Sequence, residues 1–239
     1  MKARLSSPFL VTMQKAAFFD VDGTLTSENV WRGLMAYFKT HKKRRLTHLA
    51  FLAVHYPLYF IRRAGLISES NFREPWAAHL AWYLRGYTPE EAETVWAWVV
   101  TQFLSPYWRA DTLAILQEHL QNGDLVMLVS SGPAPLVRAI ARHLGAPHAI
   151  GTEFSLKNGK YDGGVSGEVC IDQLKAEHAR QYLSQRGLEV DFDASRSYAD
   201  SSSDEAVLAM AGHPVAVYPD AGLQKLAAER GWQVFPPAQ

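Results

Sequence analysis

Cysteine is almost absent from this chain of 239 residues, where Cys170 stands alone. One thiol excludes an intramolecular disulfide and a multi-cysteine zinc cluster, which fits a reducing compartment and predicts a cytoplasmic location. Net charge is lacking as well, since 24 Lys and Arg balance 24 Asp and Glu. Nucleic-acid readers ordinarily carry a basic excess, so nucleic acid is not expected among the partners. Residues 1–15 lack the apolar segment and small-residue cleavage pattern of a secretory signal and read as a short leader. No H-E-x-x-H pair marks a zinc site, and no glycine-rich nucleotide loop follows a strand. Residues 46–61 are uncharged, but sixteen residues span only about 24 Å as a helix. That falls short of the roughly 30 Å hydrocarbon core, so a transmembrane span is not expected.

What is present is ample apolar material, at 48% hydrophobic and 12% aromatic, enough to bury a core. Ala16-Ala17-Phe18-Phe19 reads as a strand buried on both faces, and similar runs recur at 125–129, 197–199 and 215–218. Helical patterns lie between them at 109–122, 135–144, 173–186, 204–211 and 221–230. This alternation predicts a doubly wound parallel α/β sheet, whose chemistry belongs beyond the carboxyl ends of its strands. Residues 151–167 break the rhythm as a hairpin turned at Asn158-Gly159, expected at the sheet margin. Residues 27–105 lack strand signals and read as about four helices, at 29–39, 46–64, 68–84 and 89–103. This insertion holds 15 of the 28 aromatic residues, predicted mostly to pack its own core and otherwise to line a pocket.

Asp20-Val21-Asp22-Gly23 directly follows the first strand. Carboxylates one residue apart alternate sides on an extended chain, so one meets a substrate while the other reaches past it. Gly23 lets the chain turn sharply and bring its N–H to an anion. Ser130-Ser131-Gly132 ends a second strand and enters a helix, where free N–H groups favour phosphate. Asp200 and Asp204 flank a strand-to-helix turn, and Lys175 opens another helix. Carboxylates gathered at strand ends repel one another unless a cation sits among them, and hard oxygen ligands suit Mg²⁺.

These four elements, in this order and spacing, resemble the haloacid dehalogenase (HAD) phosphohydrolase superfamily over nearly the whole chain. Phe18 to Thr26 matches its first motif, Ser130 the second, Lys175 the third and Asp200 to Asp204 the fourth. The insertion resembles a C1-type helical cap, which points to the phosphoserine-phosphatase-like subgroup IB. The resemblance implies a catalytic core at 1–26 and 106–239, with a cap at 27–105. It implies Asp20 as the nucleophile that becomes an aspartyl-phosphate and Asp22 as general acid and base. Gly23, Ser130, Ser131, Gly132 and Lys175 would hold the phosphoryl group, with Lys175 also offsetting charge around Asp20. Mg²⁺ would bind Asp20, Asp200 and the carbonyl of Asp22, with Asp204 supporting the metal waters or orienting Lys175. Phosphoserine itself fits poorly, because Asn29 stands where the subgroup carries Glu and the 72–79 stretch offers no matching Arg.

The function expected is a Mg²⁺-dependent phosphatase acting on a small-molecule phosphate monoester. Three rivals are a phospholipid-related phosphatase at the membrane surface, a phosphotransferase that shares the aspartyl-phosphate, and a non-catalytic binding protein. The second keeps alive an alternative for 41–63, whose apolar stretch lies between His41-Lys42-Lys43-Arg44-Arg45 and Arg62-Arg63. It reads either as a buried cap helix with solvated ends or as a peripheral membrane contact. The chain's neutrality is itself a cancellation, with +4 on residues 27–105 and −4 on the remainder. A basic lid over an acidic core suits an anionic substrate.

Overall fold

The computed structural model describes residues 13–236, so the leader read at 1–15 lies outside the described residues except for its last three. β1 (Ala16–Phe19) is buried at every position and occupies the middle of a six-stranded sheet of order β3-β2-β1-β6-β7-β8. Its neighbours are β2 (Leu125–Pro133) and β6 (Arg196–Ala199), with β3 (His148–Thr152), β7 (His213–Val217) and β8 (Gln233–Phe235) outside them. All adjacent strands run parallel. Ala16 and Phe18 share a core with α7 (Asp172–Gln185) and α8 (Glu205–Ala209), while Ala17 and Phe19 join α5 (Ala110–Gln121) and α6 (Ala134–Leu144). Apolar residues on both faces are what a strand covered by helices on each side requires. α9 (Ala221–Arg230) packs Leu223 and Ala227 against Ala216 of β7. The chain winds outward from β1 to β3, then crosses back to β6 and winds the other way. The carboxyl ends of β1 and β6 therefore flank the point where the winding reverses, and a crevice opens there.

Four α-helices fill most of the stretch between β1 and α5. They are α1 (Val30–Thr40), α2 (Arg45–Arg63), α3 (Glu69–His79) with the tighter turn Leu80–Leu84, and α4 (Pro89–Trp98) with the wider turn Val99–Phe103. Thr88 starts α4 as the sequence predicts. Its hydroxyl accepts the Glu91 N–H at 3.2 Å, the Glu91 carboxylate accepts the Thr88 N–H at 2.8 Å, and Pro89 follows. Phe38, Phe51, Tyr83 and Trp96 are fully buried, and Trp76 and Trp82 meet Phe51 edge-on. The chain enters and leaves this block side by side. Thr26 bridges Trp108, Ser27 N–H donates to Tyr107 O at 2.9 Å, and Arg109 N–H donates to Leu25 O at 3.0 Å.

Three expectations need correction. The hairpin of β4 (Phe154–Lys157) and β5 (Lys160–Val165) does turn at Asn158-Gly159, but it forms its own two-stranded sheet. Its Tyr161 backbone exchanges hydrogen bonds with Gly86 and Tyr87, so the hairpin joins the helical block instead of extending the sheet margin. The helix expected at 204–211 is shortened to α8, because Ser202–Asp204 forms a tight turn after Ser201. The helix read at 68–84 changes its winding at Leu80.

His55 lies inside the block with its Nε2 3.2 Å from Nδ1 of His79, and His79 stacks on Trp82. Burial, reinforced by His79, holds His55 down at about 4. The unfolded chain therefore takes up this proton first on acidification. Stability from neutral His55 is full above the ordinary histidine range and drains away as pH falls toward 4. Thermal unfolding should show a midpoint that falls between pH 7 and 5, with a shallower slope in His55→Leu. Parallel slopes in the two proteins would contradict this assignment.

Candidate active site

Asp20 is the first residue past β1, and its N–H donates to Tyr198 O at 2.9 Å. The chain then turns at Gly23, whose φ is +84°. A Cβ at Gly23 would stand 2.0 Å from Oδ2 of Asp200, so only glycine lets the Asp200 carboxylate close on this loop. Arg109 fastens the loop by donating from Nε to Gly23 O at 3.0 Å. Asp22 is half-buried, and its Oδ1 accepts the N–H of Val30, the first residue of α1, at 2.8 Å. One carboxylate thus stays with the sheet while the next reaches the start of the helical block.

Lys175 lies in the first turn of α7, fully buried, with Nζ 2.7 Å from Oδ1 of Asp20 and 2.5 Å from Oδ1 of Asp204. Asp200 lies just past β6, and its Oδ1 accepts a long 3.5 Å hydrogen bond from the Thr24 hydroxyl. Carboxylate oxygens of Asp20, Asp200 and Asp204 come within 4.8 Å of one another. The sequence-predicted acids and lysine thus converge from four segments.

Ser130 and Gly23 are not among the residues lining the cavity, though their neighbours Asp22, Ser131 and Gly132 are. Ser130 is buried, and its hydroxyl accepts the Gly132 N–H at 3.0 Å, which shapes the turn out of β2. Ser131 and Gly132 line the cavity, and the buried Ser131 hydroxyl has no hydrogen-bond partner among the described residues. A buried hydroxyl left unpaired beside a cavity is a donor in want of an acceptor.

The electrostatics follow from crowding. Burial pushes Asp20 up to about 6, with Lys175 opposing and Asp204 adding to the rise. Burial and the neighbouring Asp20 push Asp22 up to about 7. Asp200 rises furthest, to about 8, through burial and the charges of Asp20 and Asp204. Burial opposes the charge on Lys175, but the two carboxylates outweigh it and hold the ammonium well above its usual range. One lysine cannot neutralise three clustered carboxylates. A hard divalent cation bound to Asp20 and Asp200 would supply the missing charge, and an all-oxygen donor set suits Mg²⁺.

The cavity above this floor has a volume of about 600 Å³. Its far wall belongs to the helical block, with Trp31, Tyr59, Phe72 and Trp76 supplying rings and Arg62 and Arg73 supplying cations. Arg62 pairs with Glu69 and lies over the Tyr59 and Phe72 rings, while Arg73 reaches across to Asp172 of α7 at 3.6 Å. Sequence reasoning missed both arginines as wall residues. Their signal was spacing, since Tyr59 and Arg62 share a helical face, as do Arg73 and Trp76. Asn29 lines the cavity, whereas Glu28 turns away to Arg32 at 3.1 Å.

A family model described as haloacid dehalogenase-like hydrolase matches residues 17–209. Phosphoserine phosphatase SerB1 of Mycobacterium tuberculosis is 29% identical over 231 residues, covering 94% of this chain and 71% of that protein. Histidinol-phosphatase of Neisseria meningitidis serogroup C is 27% identical over 228 residues, covering 93% of this chain and 99% of its own. Among solved structures, a protein of unknown function from Bordetella pertussis Tohama I superposes with a TM-score of 0.78 at 26% identity. That match covers 93% of this chain and 98% of the other.

The raised Asp200 makes a sign-definite prediction for metal-free protein. Its folded value near 8 lies above the unfolded value near 3.8, so ionised Asp200 destabilises the fold. The cost is full above pH 8 and shrinks as pH falls toward 4. Asp200→Asn, kept in a chelator, should therefore melt several degrees higher than the parent at pH 8, at about 2–4 °C per kcal/mol relieved. The gap should close on acidification. An equal or lower melting temperature at pH 8 would show that the carboxylate is not strained.

Proposed function

The chain belongs to the haloacid dehalogenase-like hydrolase family, and from that premise we propose that it is a Mg²⁺-dependent phosphatase of small organic phosphate monoesters, working through a phosphorylated Asp20. The observation that carries this reading is the pairing of Asp20, held by Lys175 on the cavity floor, with the half-buried Asp22 two residues on. Two adjacent carboxylates, one charged and one still able to carry a proton near neutrality, suit nucleophile and acid respectively.

Asp20, Asp200 and the carbonyl of Asp22 would hold Mg²⁺, which when bound neutralises charge on the phosphoryl oxygens. Asp20 attacks phosphorus through one carboxylate oxygen, and the P–O bond to the organic alcohol breaks. Asp22 gives its proton to the departing alkoxide, which leaves as the alcohol. The Asp22 carboxylate then takes a proton from water as that water attacks phosphorus, releasing phosphate and restoring Asp20. Lys175 balances the Asp20 carboxylate, and the Ser131 hydroxyl meets a phosphoryl oxygen at the β2 end, beside the turn that the Gly132 N–H closes on Ser130. Asp204 positions Lys175 at 2.5 Å.

Residues 27–105 serve as a cap. Both connections to the core run through the paired backbone at Thr26 and Trp108, a natural axis for opening and closing. Closure brings the aromatic wall over the phosphate and excludes water that would quench the electrostatics. Rings of Trp31, Tyr59, Phe72 and Trp76 favour a leaving group that packs flat against them. Arg62 and Arg73 are already paired with Glu69 and Asp172, which weakens the case for a carboxylate anchor like that expected for phosphoserine. The relatives named phosphoserine phosphatase and histidinol-phosphatase support small amine-bearing alcohols as the substrate class.

Two variants test the chemistry. With Mg²⁺ present, Asp20→Asn should lose at least about 10³-fold in kcat. Turnover equal to the parent's would overturn the nucleophile assignment. Asp22→Asn should lose about 10²–10⁴-fold with an alkyl phosphate. It should lose much less in the burst of p-nitrophenol released from p-nitrophenyl phosphate, because that leaving group departs without a proton. An equal loss in both would remove Asp22 from the acid role.

A further inference from the structure

α2 presents apolar residues on two opposite sides. One side packs inward through the buried Phe51 and His55 and supplies Tyr59 and Arg62 to the cavity wall. The other carries Leu46, Leu49, Ala53, Tyr56 and Phe60, spaced by three and four residues along one stripe. These are exposed, Leu46 at 82%, Leu49 at 61%, Tyr56 at 60% and Phe60 at 56%. No charged residue occurs from Leu46 to Ile61. Eight of the eleven large apolar side chains exposed among the described residues fall between Leu46 and Leu66, four of them on this stripe, so the exposure is concentrated in one segment.

The charges around the patch select what covers it. Lys42, Lys43 and Arg45 are exposed at one end and Arg63 at the other, and α2 itself contains no acidic residue. Pairing the patch with itself in a second copy would set cationic end on cationic end in either the parallel or the antiparallel arrangement. An apolar stripe between cationic ends instead matches a lipid interface, with acyl chains beneath anionic headgroups. The helix, about 28 Å long, would lie in that plane. Among the described residues no helix is long and apolar enough to cross a membrane.

We propose that the outer face of α2 is a docking surface for an anionic lipid bilayer. Tyr59 and Arg62 face the cavity from the other side of the helix, so docking leaves the catalytic wall unchanged. The proposal therefore does not rest on the phosphatase reading.

Sedimentation of the full chain with lipid vesicles tests it. At low salt the protein should pellet with phosphatidylcholine vesicles containing one quarter phosphatidylglycerol and stay in solution with phosphatidylcholine alone. Leu49→Glu with Phe60→Glu should abolish pelleting. Lys42→Ala, Lys43→Ala and Arg45→Ala together should weaken it about fivefold per cation removed. Circular dichroism certifies the fold of each variant independently of activity, and the lysine and arginine set keeps the test open if the glutamate variant misfolds. Parent protein that stays in solution with both vesicle types overturns the proposal, as does pelleting unaffected by either folded variant. A dimer by light scattering that Leu49→Glu dissociates, with no vesicle binding, would assign the face to a second copy instead.

Discussion

Lys175 sits between Asp20 and Asp204 with all three side chains nearly withdrawn from water. Ions in that position are tolerated only while each has its partners, and removing one from a buried pair ordinarily costs about 3–5 kcal/mol. The three residues come from the end of β1, the first turn of α7 and the turn before α8. Their meeting depends on the crossover that sets β6 beside β1. The sheet order is thereby tied to the charge balance of the site, because any arrangement that moved α7 would strand two carboxylates and an ammonium. Asp200 extends the same logic, its approach permitted by the missing Cβ of Gly23 and its charge only partly offset by Lys175.

The helical block complements this floor in sign and in chemistry. It carries a net +4 where the rest of the chain carries −4, and its cations Arg62 and Arg73 stand on the wall opposite the acidic cluster. Both arginines are paired, with Glu69 and Asp172, so the wall's excess charge is spread over the block instead of focused at the cavity. The wall's rings meanwhile keep the enclosed space low in polarity, where lysine and backbone dipoles act most strongly. Asp22 connects the two halves physically, since its carboxylate holds the first N–H of α1.

How much of this was legible in the sequence varies with how local the cause is. β1 was legible because a strand covered on both faces reads as an unbroken apolar run, and the residue after it is placed by the strand alone. α9 was legible to its ends, since Asp220 caps its start and Gly231 takes the left-handed turn at its finish. β3 and β8 were missed: His148 and Gly151 dilute one, and Gln233–Phe235 is too short to show alternation. The hairpin's turn was readable in Asn158-Gly159, but its partner was not, because pairing with Gly86 and Tyr87 is decided by how the helices pack. The same holds for the cavity wall. Asp20, Asp200 and Lys175 announce themselves at element ends, whereas Arg62 and Trp76 become neighbours of the site only once α2 and α3 have crossed it. Trp82, which from sequence was equally suited to the wall, stacks on His79 inside the block.

The paired backbone at Thr26 and Trp108 has a consequence for how such a molecule is assembled and diversified. A segment that departs and returns at one point adds to the core only a closed loop, and loop-closure cost grows slowly, about 0.6 kcal/mol for each doubling of length. The sheet can therefore take its shape with the intervening residues still unfolded. Helices of another length or composition can be exchanged at the same two positions without disturbing a register of the six-stranded sheet, only the separate hairpin losing its partner. On the function proposed above, recognition of the leaving group and attack on phosphorus would in this way be separable in evolution, though they share one cavity.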